Sequence, residues 1–197
     1  MILKEFKNLL LVSGSGRNCG KTTVACEIIS HLRKESTVIG MKITPHFHVA
    51  GCKQEVIAEG DGYCIYKEND VASSKDSSRM LQAGAEKVYF VQCNDVTLVS
   101  IYNKLKKLLP VNIPIVCESG SFANVFKPGL HILVEGNNPD KSKQSYLLNL
   151  RKADKVLEFN NKVSDEFLHN ITFTNSQYFV VASKVRRKFY KQISFLN

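Results

Sequence analysis

Leu9-Leu10-Leu11-Val12-Ser13-Gly14-Ser15-Gly16-Arg17-Asn18-Cys19-Gly20-Lys21-Thr22-Thr23 is the stretch on which the fold turns. Asn8 to Val12 is a short apolar run, the pattern of a strand buried on both faces of a parallel sheet. From residue 20 to 34 the period changes, and Val24, Ile28, Ile29 and Leu32 fall on one face of a helix. Between strand and helix lies a loop of small residues. Against the pattern G-x-x-x-x-G-K-[ST], Gly20, Lys21 and Thr22 match the last three fixed positions, and the first falls on Ser15, flanked by Gly14 and Gly16. Phosphate oxygens call for several backbone N–H groups turned inward, which a tight loop of small residues supplies. A helix starting near Gly20 aims its positive end at the same anion. The predicted nucleotide-binding residues are therefore Gly14, Ser15, Gly16, Arg17, Asn18, Cys19, Gly20, Lys21, Thr22 and Thr23. Lys21 is expected to reach the outer phosphates as a catalytic residue, and Thr22 to place its hydroxyl on Mg2+. The nucleotide expected is GTP or ATP.

Working outward, Thr37 to Ile43 reads as a second strand. Residues 45–75 carry Gly, Asp and His with little periodicity and read mainly as loops with a short hairpin. Ser74 to Ala83 reads as a helix capped by Ser74 and stopped by Gly84. Val88–Val91, Ile113–Cys117 and Leu130–Val134 read as strands, Leu98–Leu109 as an amphipathic helix, and Ser145–Leu150 as part of another. Lys155–Phe159 and Tyr178–Val181 are candidate late strands. Strands alternating with helices predict an α/β fold of the P-loop NTPase type, a mostly parallel sheet with helices on both faces. No linker composition divides the chain. Residues 1–197 are expected to form a single nucleotide-binding domain, with the part from about 160 to 197 unassigned.

Composition narrows the class. Hydrophobic residues make up 44% of the 197, enough for a core. No stretch approaches the roughly 18 consecutive apolar residues of a membrane span. The start is broken by Lys4, Glu5 and Lys7 before a signal-peptide core could form. A soluble, cytoplasmic protein without membrane attachment is expected. The 6 cysteines form no C-x-x-C pair, which argues for free thiols over a zinc site or a disulfide framework. Cys19 stands apart, because oxidation or alkylation inside the loop would block the nucleotide. The net charge of +9 is partly local, in Lys104, Lys106 and Lys107 and again in Lys184, Arg186, Arg187 and Lys188. A basic balance says little about partner identity, and nucleic acid is not the partner expected.

Glu118 ends an apolar strand, where a second acidic group should approach magnesium or its waters. It is assigned a catalytic and metal-binding role with Thr22. Lys42, His46 and His48 follow the second strand. The histidines suit a phosphate, a metal or a small substrate as well as a plain surface loop, and a zinc site would need more ligands. Arg79 can grip a carboxylate or phosphate bidentately, or pair with Asp76 inside its helix. Because loops after strand ends converge on one crevice, Lys42, His46, His48, Asp76 and Arg79 are expected to form the site of a second substrate or partner. Asn137-Asn138-Pro139-Asp140 loosely imitates a guanine-reading Asn-Lys-x-Asp and reads better as a turn. Gly16 stands where dimerising ATPases of the partition type carry a second lysine, so their crossed-lysine mechanism is not expected.

Three segments resemble the MobB-like GTP-binding proteins of molybdopterin-guanine dinucleotide biosynthesis. They are Gly14 through Thr23, Met41-Lys42-Ile43-Thr44-Pro45-His46-Phe47-His48, and Lys75-Asp76-Ser77-Ser78-Arg79-Met80-Leu81-Gln82-Ala83-Gly84-Ala85. The likeness covers roughly residues 8–93 and weakens towards 160. It implies a P-loop α/β fold, a homodimer, and GTP binding with weak hydrolysis beside a molybdenum-cofactor biosynthesis enzyme. In the family the acidic strand end is followed directly by Gly, whereas here Glu118 is followed by Ser119-Gly120; Val134-Glu135-Gly136 looks similar too. Two alternatives stand beside this one. One is an ATP-dependent ligase or kinase on a small acid, similar to dethiobiotin synthetase. The other is a non-catalytic nucleotide switch that binds a protein partner.

Overall fold

The computed structural model describes residues 3–48, 53–137 and 139–180, without the side chains of Phe179 and Val180. Cys52, Asn138 and the basic run Lys184–Lys188 lie outside the described residues. In chain order the elements are β1 (Lys4–Gly14), α1 (Lys21–Leu32), β2 (Ile39–Thr44), β3 (Glu55–Gly60), β4 (Tyr63–Lys67) and α2 (Asp76–Gln82). There follow β5 (Lys87–Cys93), α3 (Asp95–Ser100), α4 (Tyr102–Leu108), β6 (Ile115–Glu118), α5 (Phe122–Val125) and β7 (Phe126–Glu135). The last are α6 (Gln144–Lys152), β8 (Lys155–Glu158), α7 (Asp165–His169), β9 (Ile171–Thr174) and β10 (Gln177–Val180).

The continuous apolar run of β1 is explained by what covers it. Leu10 and Val12 pack with Val24, Ile28 and Ile29 of α1 and Met80 of α2. Leu9 and Leu11 point the other way, towards Leu98, Ile101 and Leu105 of the α3–α4 segment and Phe122 of α5. On that second face Phe6 meets Phe122 and Phe126 edge to face, and those two rings meet at a tilt, with centroids 5.2–5.5 Å apart. The protein is thus an α/β structure, its sheet flanked by helices on both faces. The 8 strands run in the order β3-β4-β5-β2-β6-β1-β7-β8. From β5 to β8 every pairing is parallel, while β3 and β4 join antiparallel at one edge.

Several elements depart from the sequence reading. The helix expected over Leu98–Leu109 begins at Asp95 and breaks at Ile101, whose backbone (φ −85°, ψ 7°) leaves the helical region. The apolar stripe Leu98, Ile101, Leu105 is buried straight through the break, so its period could not reveal it. Asn94, not read as a cap, starts α3 by accepting from the Thr97 N–H at 2.9 Å. Helix α2 starts after Lys75 with no side-chain cap, so Ser74 is not its cap. The loop region 45–75 holds a real hairpin, β3–β4, which turns at Asp61-Gly62 and extends the sheet through β5. The late strand at Tyr178 is present as β10, but it pairs antiparallel with β9 in a separate two-stranded sheet. Asn175 and Ser176, both with positive φ, make its turn. That hairpin lies on the α1 face, with Ile171 and Tyr178 in the same cluster as Ile28. The five described cysteines are free, and four of them are buried. Among the described residues no helix is long and apolar enough to cross a membrane.

The topology fixes where chemistry can occur. β6 lies between β1 and β2, with Val12 and Lys42 both in register with Glu118. The loop leaving β1, the last residue of β6 and the end of β2 therefore meet at one edge of the sheet.

Candidate functional site

The loop after β1 is clamped from both sides. The Ser15 N–H donates to the Val134 carbonyl at 2.9 Å, and the Gly136 N–H donates to Ser15 Oγ at 3.2 Å. Across the loop the Ser119 N–H donates to the Val12 carbonyl at 3.1 Å. The chain turns through left-handed backbone at Asn18 (φ 54°) and Gly20 (φ 96°) before α1 begins. Crowding falls on Gly14, where a Cβ would lie 2.4 Å from Cys19 Sγ and 2.6 Å from Lys21 Cγ. The motif had aligned its fixed glycine with Ser15, one residue later. Lys21 arches back over the loop. Its ammonium donates to the Gly16 carbonyl and stands 3.6 Å from Cys19 Sγ.

Beside the loop, four elements bring together one hydroxyl, two carboxylates and one ammonium. Thr22 Oγ1, in the first turn of α1, lies 3.0 Å from Asp76 Oδ1 and 2.8 Å from Glu118 Oε2. Lys42 Nζ, from the end of β2, donates to the other oxygen of each, Asp76 Oδ2 at 2.7 Å and Glu118 Oε1 at 2.5 Å. Glu118 is fully buried. Burial alone would lower the Lys42 ammonium, but the charges of Glu118 and Asp76 outweigh it and hold its pKa above the usual value. Burial would likewise raise the Asp76 carboxyl, and the charge and hydrogen bond of Lys42 with that of Thr22 bring it below the usual value. Three oxygens converge at Thr22 with a single hydroxyl proton between them. Three hard oxygen donors are a set that suits magnesium, whose remaining positions go to waters and phosphate oxygens. Among the described residues no group of three or more His, Cys, Asp and Glu is placed to hold a metal.

All five residues expected at a second-substrate site line one cleft of about 930 Å3 with Lys21, Thr22 and Glu118. Within it they separate. Lys42 and Asp76 belong to the hydroxyl–carboxylate cluster. Arg79 donates from Nη2 to Thr23 Oγ1 at 3.1 Å, behind the first turn of α1. His46 and His48 stand exposed at the rim. The His48 backbone is nevertheless held, because buried Gln92 accepts from its N–H and donates to its carbonyl, both at 3.1 Å, while the His46 N–H donates to Thr44 Oγ1 at 3.2 Å. A smaller cleft of about 420 Å3 lies on the other side of the loop, between residues 15–19 and Gly136, Asn137, Asp140 and Lys143. Asp140 folds onto Ser142, whose N–H and hydroxyl donate to Oδ1 at 3.0 and 2.6 Å, which is the turn geometry expected. Glu135 accepts from the Tyr146 hydroxyl and takes no part in the Thr22 cluster.

No family model, curated protein or solved structure matches the chain.

Several residues that build the site carried no sequence signal. Buried Glu68 accepts from Ser77 Oγ at 2.6 Å and Gln54 Nε2 at 2.7 Å, and so holds the start of α2, where Asp76 sits. Phe159, just past β8, presses its ring on Gly20. Lys143 joins Asn137 and Asp140 only through the turn between β7 and α6. His131 could have been noticed as a polar residue within the apolar run Leu130–Val134. It lies in β7, with Nε2 2.8 Å from Ser13 Oγ, directly under the loop.

Proposed function

We propose that the chain binds a nucleoside triphosphate with magnesium across the Gly14–Thr23 loop, prefers GTP, and hydrolyses it slowly. The observation that carries this reading is the convergence of Thr22, Asp76 and Glu118 oxygens beside Lys21, at the start of a helix entered through a left-handed glycine. Thr22, Asp76 and Glu118 would hold the magnesium, which when bound would neutralise charge on the triphosphate oxygens. Lys21 releases the Gly16 carbonyl and turns its ammonium to the outer phosphates, and the first N–H groups of α1 face the same anion. The smaller cleft supports guanine. Asp140 Oδ1 closes the turn on Ser142, which leaves Oδ2 to accept from a guanine N2 amino group, and Asn137 or Lys143 can donate to O6, where adenine presents a donor instead. Together with the MobB-like resemblance this supports reading the protein as a GTP-binding accessory in molybdenum-cofactor biosynthesis.

A thermal-shift panel of GTP and ATP with magnesium tests the reading. At a hundredfold excess over Kd the correct nucleotide adds ~2.7 kcal/mol of stability. At this chain length that is a rise of roughly 5–10 °C in Tm. No shift with any triphosphate at millimolar concentration overturns the proposal. Lys21→Ala removes a charge-assisted contact of ~1.5–3 kcal/mol, so affinity measured by calorimetry should fall roughly ten- to a hundredfold. Unchanged affinity would remove Lys21 from the phosphate site.

Hydrolysis by the protein alone should run at ~10⁻⁴–10⁻² per second, the range of P-loop GTPases acting without an activating partner. Arg17 is the loop's only arginine, and it lines both clefts. A purified protein turning over faster than about one per second would favour a second reading, an ATP-dependent ligase or kinase on a small acid. One observation supports that reading: the larger cleft continues past the cluster to His46, His48, Gln54 and Phe90, with room for an acceptor. Turnover that depends on a small carboxylic acid separates the two.

A further inference from the structure

Each carboxylate of the cluster is divided between two partners. Asp76 gives Oδ1 to Thr22 and Oδ2 to Lys42, and Glu118 gives Oε2 to Thr22 and Oε1 to Lys42. The Lys42 ammonium thus occupies, from the β2 side, the same two carboxylates that the proposed function assigns to magnesium from the Thr22 side. Its position is not accidental. The backbone at Lys42 is in register with Glu118, and its side chain lies against the cleft with only 16% of its surface exposed. Glu118 is too buried to turn to water instead.

We propose that Lys42 is a built-in counter-ion that couples magnesium binding to triphosphate binding. This rests on the magnesium–nucleotide reading of the site. With no nucleotide, a divalent cation arriving at Thr22 meets carboxylates whose charge is already half neutralised, and it is repelled by an ammonium one carboxylate away. Displacing that ammonium leaves it without an anionic partner, so the metal alone binds weakly. When a triphosphate arrives with the metal, its outer phosphate lies in the same cleft as Lys21 and Lys42. The four-carbon stem of lysine lets the ammonium swing from the carboxylates to that phosphate. The move that opposes the metal alone therefore favours the metal and nucleotide together. By linkage the preference is reciprocal: magnesium raises triphosphate affinity by the same factor as triphosphate raises magnesium affinity.

The experiment has two arms, applied to wild type, Lys42→Met and Lys42→Arg. The first is Mn2+ binding to the nucleotide-free protein, read by electron paramagnetic resonance. The second is the affinity of a fluorescent GTP analogue with and without magnesium. Wild type should bind free Mn2+ weakly, Lys42→Met about tenfold more tightly, and Lys42→Arg like wild type, within the fivefold to roughly 150-fold range of ordinary coupling. In the second arm Lys42→Met should bind the analogue with magnesium about tenfold less tightly, and the gain from adding magnesium should shrink relative to wild type. Lys42→Gln, which keeps a donor, replaces Lys42→Met in both arms if the latter melts below assay temperature. Lys42→Met binding Mn2+ no more tightly than wild type overturns the proposal while leaving the nucleotide site intact. Tighter Mn2+ with unchanged analogue affinity also overturns it, because the lysine would then be a structural counter-ion only. Failure of wild type to bind the analogue at all sinks the nucleotide reading itself, which the Mn2+ arm reports separately.

Discussion

Gly20→Ala should cost about 2–5 kcal/mol and lower Tm by roughly 5–20 °C, with loss of nucleotide binding. Two separate effects add at this residue. The backbone has φ 96°, a left-handed conformation that costs an L side chain about 1–2 kcal/mol. The new Cβ would also lie 2.1 Å from the Phe159 ring, so the ring, which packs against the α1-side cluster, must move. Overpacking of that kind costs typically ~1–3 kcal/mol. Gly20 also sets the angle at which α1 leaves the loop, so relief by backbone movement would turn the first N–H groups of the helix away from the loop, where the proposed triphosphate would sit. Gly16→Ala is the control, since a Cβ there meets nothing within 4 Å and its φ is not positive. Scanning calorimetry of Gly20→Ala, Gly16→Ala and Gly20→Ala with Phe159→Ala separates the two effects. The double variant should recover the packing component relative to Gly20→Ala, and the backbone component should remain. A Gly20→Ala protein that melts with wild type would disprove both the turn and the Phe159 contact.

What the sequence revealed of this site, and what it hid, follows from the range of the interactions. The strand–loop–helix from Asn8 to Leu32 was legible because its determinants are local: an apolar run, small residues, then a helical period. The partners of Thr22 were partly legible. Glu118 was found because a lone acid ends an apolar strand, and Asp76 because its segment carries the family likeness. That the two share one hydroxyl and one ammonium was not readable. It depends on β6 inserting between β1 and β2, a strand order set by crossovers and not by any local pattern. For the same reason the sequence puts Lys42 and Asp76 at the expected crevice, but their joining to Thr22 and Glu118 is visible only in the geometry. Glu68 was invisible for a different reason. An acidic residue in a polar stretch looks solvated, and its burial depends on the β4 hairpin folding under α2. The pairing of β10 with β9 was missed because Ile171–Thr174 is only four residues long, too short for an alternating pattern to stand out.

His131 should make stability fall by about 2.5 kcal/mol as pH drops from 6.5 to 4. The imidazole is 1% exposed and held at Nε2 by Ser13. Burial pushes its pKa down to about 4. The nearby Lys152 carbonyl and Asp154 carboxylate pull the other way and recover only part of the shift. In the unfolded chain the same group titrates near ~6.5. The folded value is the lower one, so between the two the unfolded state binds more protons. The contribution is then complete above pH ~6.5, is lost progressively on acidification, and is gone below the folded value. The gap between the folded and unfolded values corresponds to ~3.4 kcal/mol in full, most of it lost by pH ~4.5. Other groups titrate in this window, so the measurement is a difference: urea midpoints of wild type and His131→Gln at pH 7.5 and 4.5. Whatever gap separates them at pH 7.5 should move by about 2.5 kcal/mol in favour of the variant at pH 4.5. Ser13 immediately precedes Gly14, so the imidazolium that forms on acidification also loosens the strand end that carries the loop. Imidazole resonances followed by NMR give an independent reading. A His131 titrating near its ordinary value in the folded protein would show that the ring is solvated and that the Ser13 contact does not hold it.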